Sequence, residues 1–181
     1  MQIPCDSETL APKGCLQYFY GNGGEGDVVS FNFNGKLHLA NQNQNACVRR
    51  EKNMCKICWS HAAADFQVSK TPTPMQGQVG QKGACCGFGT DGAKKSTYDC
   101  VIIPGAIKNT ADGKFITGAD GGASEFCGEA LGTLKEDGPA KTICSKVTPF
   151  RLRFLSDNYE ALDDEAMKNN NGFKLHYKQS C

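Results

Sequence analysis

Phe150-Arg151-Leu152-Arg153-Phe154 and Phe173-Lys174-Leu175-His176-Tyr177 decide how this chain folds. In each run a large apolar side chain takes every second position, with a charged or polar one between. That period of two belongs to a strand with one face on a core and the other in water. The alternation recurs over Val28 to Phe33, where Val29, Phe31 and Phe33 are assigned to the core face and Ser30, Asn32 and Asn34 to solvent. Asn34-Gly35 comes next, a pair suited to a type I′ turn because both positions take positive φ, and Lys36 to Ala40 alternates again. The runs 28–33 and 36–40 are thus predicted to be antiparallel neighbours.

Further strands are expected at Leu16 to Tyr20, Cys47 to Arg50, Ile57 to Trp59, Phe66 to Val68 and Val101 to Ile103, the last a solid apolar run stopped by Pro104-Gly105. The Gly-rich stretch Gly21 to Gly26 reads as a hairpin turn and not as a phosphate loop, since no lysine stands in the right place and a strand follows it. One segment suggests a short helix: Asp157 as cap, Glu160 three residues on, then Ala161, Leu162, Ala166 and Met167. The stretches from Pro72 to Ser96 and from Lys108 to Ser124 carry little apolar content and read as long loops. Many short strands, Gly-rich turns and at most one short helix predict an all-β sandwich of antiparallel strands.

Eleven cysteines in 181 residues place the chain in an oxidising compartment, because cytosolic thiols stay reduced. Cys55 and Cys58 form one Cys-x-x-Cys, but no second pair follows at the interval of a zinc site and no βαβ pattern supports a redox pair. The odd count leaves one sulfur to stay free, cap a small thiol or join another chain, so a homo-oligomer linked through it is one expectation. Twenty basic against nineteen acidic residues give a net charge of +1, which points to neither nucleic acid nor a membrane surface. No apolar stretch is long enough for membrane insertion as a helix. The first residues show no signal peptide, so secretion makes Met1 the start of a mature or trimmed chain.

Material for catalysis is thin. His38 and His176 fall on polar faces and are expected in solvent, His61 stands at a strand end, and a thiolate nucleophile needs an unpaired cysteine in an electropositive pocket. Arg49, Arg50, Lys52 and Lys56 with Trp59 form a basic and aromatic cluster. Its two readings are a grip for an acidic glycan or partner and the commoner solvated strand face. Asp163-Asp164-Glu165 reads as a charged surface turn.

The residues resemble the CUB domain family, most closely the CUB-like extracellular proteins of arthropods. Cys15 to Tyr20 followed by Gly26 and Val28 to Phe33 is similar to the family's opening strands, and Asn41 to Glu51 to the Asn-rich loop leading into its second cysteine. Cys55-Lys56-Ile57-Cys58-Trp59 continues as in the arthropod branch, and Thr97 to Gly105 resembles the Tyr-Asp strand and its turn. Phe126-Cys127-Gly128, Pro149 to Asp157 and Gly172 to Tyr177 look like the closing cysteine and final two strands.

This resemblance implies a disulfide-stapled jelly-roll over 15–181 after an N-terminal extension of 1–14. It also implies a secreted module that binds extracellular proteins or glycans and is not an enzyme. The alternative is a structural part of an extracellular matrix, cuticle or disulfide-linked filament. The first implied bridge joins Cys15 to Cys47; Cys127 would pair with Cys100, Cys85 or Cys86. Cys5, Cys144 and Cys181 are extra, and a bridge from either terminus would staple the ends. No cofactor is required, but many members hold a calcium ion. Two of its expected acids are Asp99 and Asp157, whereas the strand for the third ligand reads Asp65-Phe66-Gln67-Val68-Ser69. Both acids equally suit turn capping.

Overall fold

The computed structural model of the chain describes residues 10–33, 37–62, 64–68, 86, 99–109, 115–116, 124–127, 131, 133–134, 138–139, 142–156 and 171–181. Its strands are β1 (Cys15–Phe19), β2 (Glu25–Val29), β3 (Asn43–Val48), β4 (Lys56–Ser60), β5 (Phe66–Gln67), β6 (Cys100–Ile102) and β7 (Ile107–Asn109). There follow β8 (Phe115–Ile116), β9 (Glu125–Phe126), β10 (Thr133–Leu134), β11 (Gly138–Pro139), β12 (Thr142–Ser145), β13 (Phe150–Leu155) and β14 (Gly172–Ser180). Among the described residues the only helical element is a 3-10 turn at Asn22–Gly24. The expected helix after Asp157, and all of the 72–96 stretch but Cys86, lie outside the described residues.

Two large sheets form, one in the order β1-β3-β13-β6-β9 and one in the order β2-β14-β4-β12-β7-β8, with β5 also pairing β14, while β10 and β11 make a separate two-stranded ribbon. β13 and β14 behave as their alternation requires: Phe150, Leu152, Phe154, Phe173, Leu175 and Tyr177 are buried, and the residues between them face outward. Aromatic rings join the layers. Phe154 of the first sheet meets Phe173 of the second edge-on at 5.4 Å, and Phe19 meets Tyr177 at 6.3 Å. Such pairs add about 0.5–1.5 kcal/mol each beyond the area they bury. Trp59, opposite Tyr177 in the β4–β14 ladder, is fully buried beside it. The fold is a disulfide-stapled jelly-roll β-sandwich, antiparallel except where β1 runs parallel to β3.

Several expectations give way. β2 pairs with β14, and of the described residues 37–40 only Leu37 makes an isolated bridge. Its faces are also reversed, with Val28 and Ser30 buried while Val29 and Phe31 are exposed. The cause is Ser30, a polar residue at a core position whose hydroxyl accepts the Phe173 N–H at 2.9 Å and so is satisfied there. The chain then leaves the sheet with Asn32 at φ +60°. Gly21 to Gly26 is no hairpin, because β1 and β2 belong to different sheets. Residues 107–116, assigned largely to a loop, contribute β7 and β8.

Candidate functional site

Two regions gather chemistry. The first lies where β1 and β3 end side by side. Parallel pairing sets Phe19 against Val48, and the next amide, Arg49 N–H, donates to the Phe19 carbonyl at 2.8 Å. Both chains therefore leave the sheet together. Arg49 then bonds Glu51 through both ends of its guanidinium, at 3.2 Å from Nε and 3.1 Å from Nη2 to Oε1. The same Glu51 oxygen accepts Gly21 N–H at 3.0 Å. That amide bond, with the guanidinium in support, holds the Glu51 carboxyl below the usual range. Gln179, at the end of β14, locks the turn from beneath: it accepts Glu51 N–H at 3.0 Å and donates to the Arg49 carbonyl at 2.9 Å.

Tyr20 rests on this frame. Its ring lies 5.1 Å from the Arg49 guanidinium and 6.1 Å from the ring of Tyr18, yet 64% of the residue stays exposed. Burial pushes the Tyr18 hydroxyl up, with Arg49 opposing. Leu16, on the same strand, is 63% exposed. Arg50 and Lys52 are exposed beside the frame. Of the predicted cluster, then, Arg49, Arg50 and Lys52 meet here, while Trp59 does not. Trp59 is 0% exposed, because its position in β4 places the indole on the inner face, so it cannot touch a partner. Tyr18 and Tyr20 were the missed members, and their spacing of two along a strand was the available signal.

The second region surrounds Asp99, which leads into β6. Its carboxylate is buried, and Oδ2 lies 2.9 Å from Nε2 of His38, whose side chain is 0% exposed. The contact is an ion pair when the imidazole is protonated. The expectation of a solvent-facing His38 fails because its side chain is the buried one here, against Asp99 and Phe154, while its neighbour Leu39 is exposed. Asp157, the other candidate calcium ligand, lies outside the described residues. Calcium takes six to eight oxygens. Asp99 faces an imidazole, and no cluster of three or more metal-ligating side chains occurs among the described residues. As placed, Asp99 presents its Oδ2 to a ring nitrogen.

The other histidines are occupied. Nδ1 of His61 faces the Ala62 carbonyl at 2.8 Å, and its Nε2 accepts Leu131 N–H at 3.2 Å. His176 points outward as expected, between Asp27 at 2.8 Å and Glu25 at 3.3 Å. Lys174 and Lys178 extend this ladder, at 3.4 Å from Asp27 and 3.1 Å from Glu25.

Among the described residues the cysteines are all paired. Cys15 bonds Cys47, the pairing the resemblance implies, and Cys181 bonds Cys55, tying the end of β14 to the start of β4. Cys58 bonds Cys144 directly across the β4–β12 ladder. Cys55 and Cys58 are therefore not a redox couple, since each is committed to a distant strand. Cys100 bonds Cys86, which removes both as partners for Cys127. Cys127 is itself disulfide-bonded, and Cys5 and Cys85 lie outside the described residues.

The comparisons bear on this arrangement. No curated protein matches the chain. Among solved structures it is similar to the CUB1-EGF-CUB2 domains of rat MASP-1, at 15% sequence identity and a TM-score of 0.44, over 92% of this chain and 41% of that one. It thus spans less than half the length of that structure. The animal CUB domain profile matches residues 12–180, from just before β1 to the last residue of β14. A match of that extent, on a β-sandwich with the Cys15–Cys47 bridge, establishes that this chain belongs to the animal CUB domain family.

Proposed function

We propose that this chain is a secreted, non-catalytic recognition domain spanning 15–181, of the kind found in arthropods, which docks an acidic protein surface on the edge formed by Tyr20, Arg49, Arg50 and Lys52. CUB domains are extracellular modules that mediate protein interactions and are generally non-catalytic. Among the described residues no helix is long and apolar enough to cross a membrane.

The observation that carries the reading is Tyr20, a large aromatic left 64% exposed on a frame of fixed hydrogen bonds. Exposed aromatics held rigid lose little entropy on docking, and Tyr and Arg dominate the energetics of protein interfaces. Arg49 is neutralised by Glu51, so the net positive charge at this edge comes from Arg50 and Lys52. Complementarity then favours an acidic partner.

Biolayer interferometry against immobilised Glu- and Tyr-rich peptides, with Lys-rich peptides and heparin oligosaccharides as comparisons, tests this. Acidic peptides are expected to bind in a salt-sensitive manner, and Tyr20→Ala to weaken them by about tenfold or more. Equal binding by the Tyr20→Ala and Arg50→Glu variants would overturn the assignment. Binding of heparin alone would replace the protein partner with a glycan. For the alternative of a disulfide-linked assembly, a covalent link between chains would have to run through Cys5 or Cys85, because the nine described cysteines are all bonded. A dimer on a non-reducing gel that collapses on reduction would favour that reading.

A further inference from the structure

The geometry points to His38 as a built-in counterpart of Asp99: an imidazole takes the position of a bound cation, so that this end of the sandwich is fastened without calcium. A buried carboxylate demands compensation, since an ionised group taken out of water with no partner is strongly disfavoured. Here Nε2 of His38 stands 2.9 Å from Oδ2 of Asp99, with the two side chains 0% and 3% exposed. A calcium ion coordinated by Asp99 would sit 2.3–2.6 Å from that oxygen. It would therefore be driven against a ring nitrogen where it needs further oxygens.

His38 is not poised to swing away. Its ring meets Phe154 edge-on at 5.4 Å, and the segment that follows it is tied down on the far side. Ser156 donates through Oγ to the Leu39 carbonyl at 2.7 Å and accepts Gln42 N–H at 2.8 Å. Its own N–H reaches the Gln42 carbonyl at 2.9 Å. One short segment thus grips Asp99 at the entry to β6 through His38, and the exit of β13 through Leu39 and Gln42. The aspartate of the family's Tyr-Asp strand is retained here for an internal contact.

Thermal unfolding of the full chain tests this in two arms. In the first, the wild-type midpoint is compared in excess EDTA and in millimolar calcium, and it is expected to agree within about one degree, as for a ligand that does not bind the folded state. A calcium-dependent rise that Asp99→Asn abolishes would overturn the inference. In the second arm, His38→Ala and Asp99→Asn each lower the midpoint, and the double variant falls no further than the worse single one, because both remove the same contact. Fully additive losses would also overturn it. If His38→Ala does not fold, His38→Phe, which keeps a planar ring but carries no nitrogen, takes its place in the cycle.

Discussion

Replacing Gly172 with alanine probes the seam where β14 begins. Gly172 has φ +88°, a left-handed conformation that costs an L-residue about 1–2 kcal/mol. A methyl group there would run into Ser30 Oγ and stand 3.2 Å from Ser30 Cβ and 3.4 Å from His38 Cβ. Ser30 cannot yield cheaply. Its Oγ accepts Phe173 N–H and its own N–H donates to the Phe173 carbonyl, each at 2.9 Å. Displacing the hydroxyl leaves a buried amide without a partner, a loss of about 1–3 kcal/mol. The two costs together amount to about 2–5 kcal/mol, a large share of the stability of an ordinary domain. Urea unfolding followed through the single tryptophan, Trp59, reads the change as a lower midpoint at constant slope. Ser30→Gly separates the terms, because it removes the obstructing atoms. In that background Gly172→Ala should cost only the backbone term of about 1–2 kcal/mol. An unshifted midpoint for Gly172→Ala, or the same cost in both backgrounds, would refute the reasoning.

Other outcomes follow from the same contacts. Removing the Cys55–Cys181 bridge as Cys55→Ser/Cys181→Ser opens a separation of 126 residues, already shortened by Cys58–Cys144, and should cost about 3–4 kcal/mol in chemical denaturation. No loss would mean that the strands alone hold the chain end. Trp59→Ala should cost about 3–5 kcal/mol, and the native wild-type emission should be blue-shifted relative to the unfolded chain; a solvent-like native spectrum contradicts the buried indole. Glu25 is held below its usual range chiefly by a hydrogen bond from Lys178, and Asp27 chiefly by one from His176. Depressed carboxylates stabilise the fold above their unfolded pKa and lose that contribution as pH falls through the folded one. As pH falls below about 4.5 the unfolding midpoint should therefore drop more steeply in wild type than in Glu25→Gln/Asp27→Asn. High salt should narrow the difference, and superimposable curves would dismiss the ladder.

How far the sequence could be read depended on whether a side chain's environment is set by its neighbours in the chain. β13 and β14 were legible because Phe150, Leu152, Phe154, Phe173, Leu175 and Tyr177 turn inward while Arg151, Arg153, Lys174 and His176 between them do not. β2 was misread by one position because Ser30 sits in the core, satisfied by Phe173 from the opposite end of the chain. His38 looked solvent-facing for the same reason, since Asp99 comes from another strand. Trp59 lay among lysines and arginines in sequence, but only the choice of faces in β4 decides that it turns inward. The tyrosine edge depends on Glu51 reaching back to Gly21 and on Gln179 beneath it, contacts that local pattern does not announce. The sulfur pairings are long-range in the same way, apart from Cys15–Cys47, which the family resemblance supplied.

β14 lies between β2 and β4 and also pairs β5, so the strand made last joins three made early. During synthesis, Val28, Trp59 and Phe66 must wait in water until residues 172–180 leave the ribosome. Until residue 144 emerges, Cys55 and Cys58 are each other's nearest thiols along the chain, since their lasting partners, Cys181 and Cys144, are still to come. A nascent chain oxidised in that interval would close the small ring first, and thiolate attack by a later cysteine would have to reopen it before the lasting bridges form.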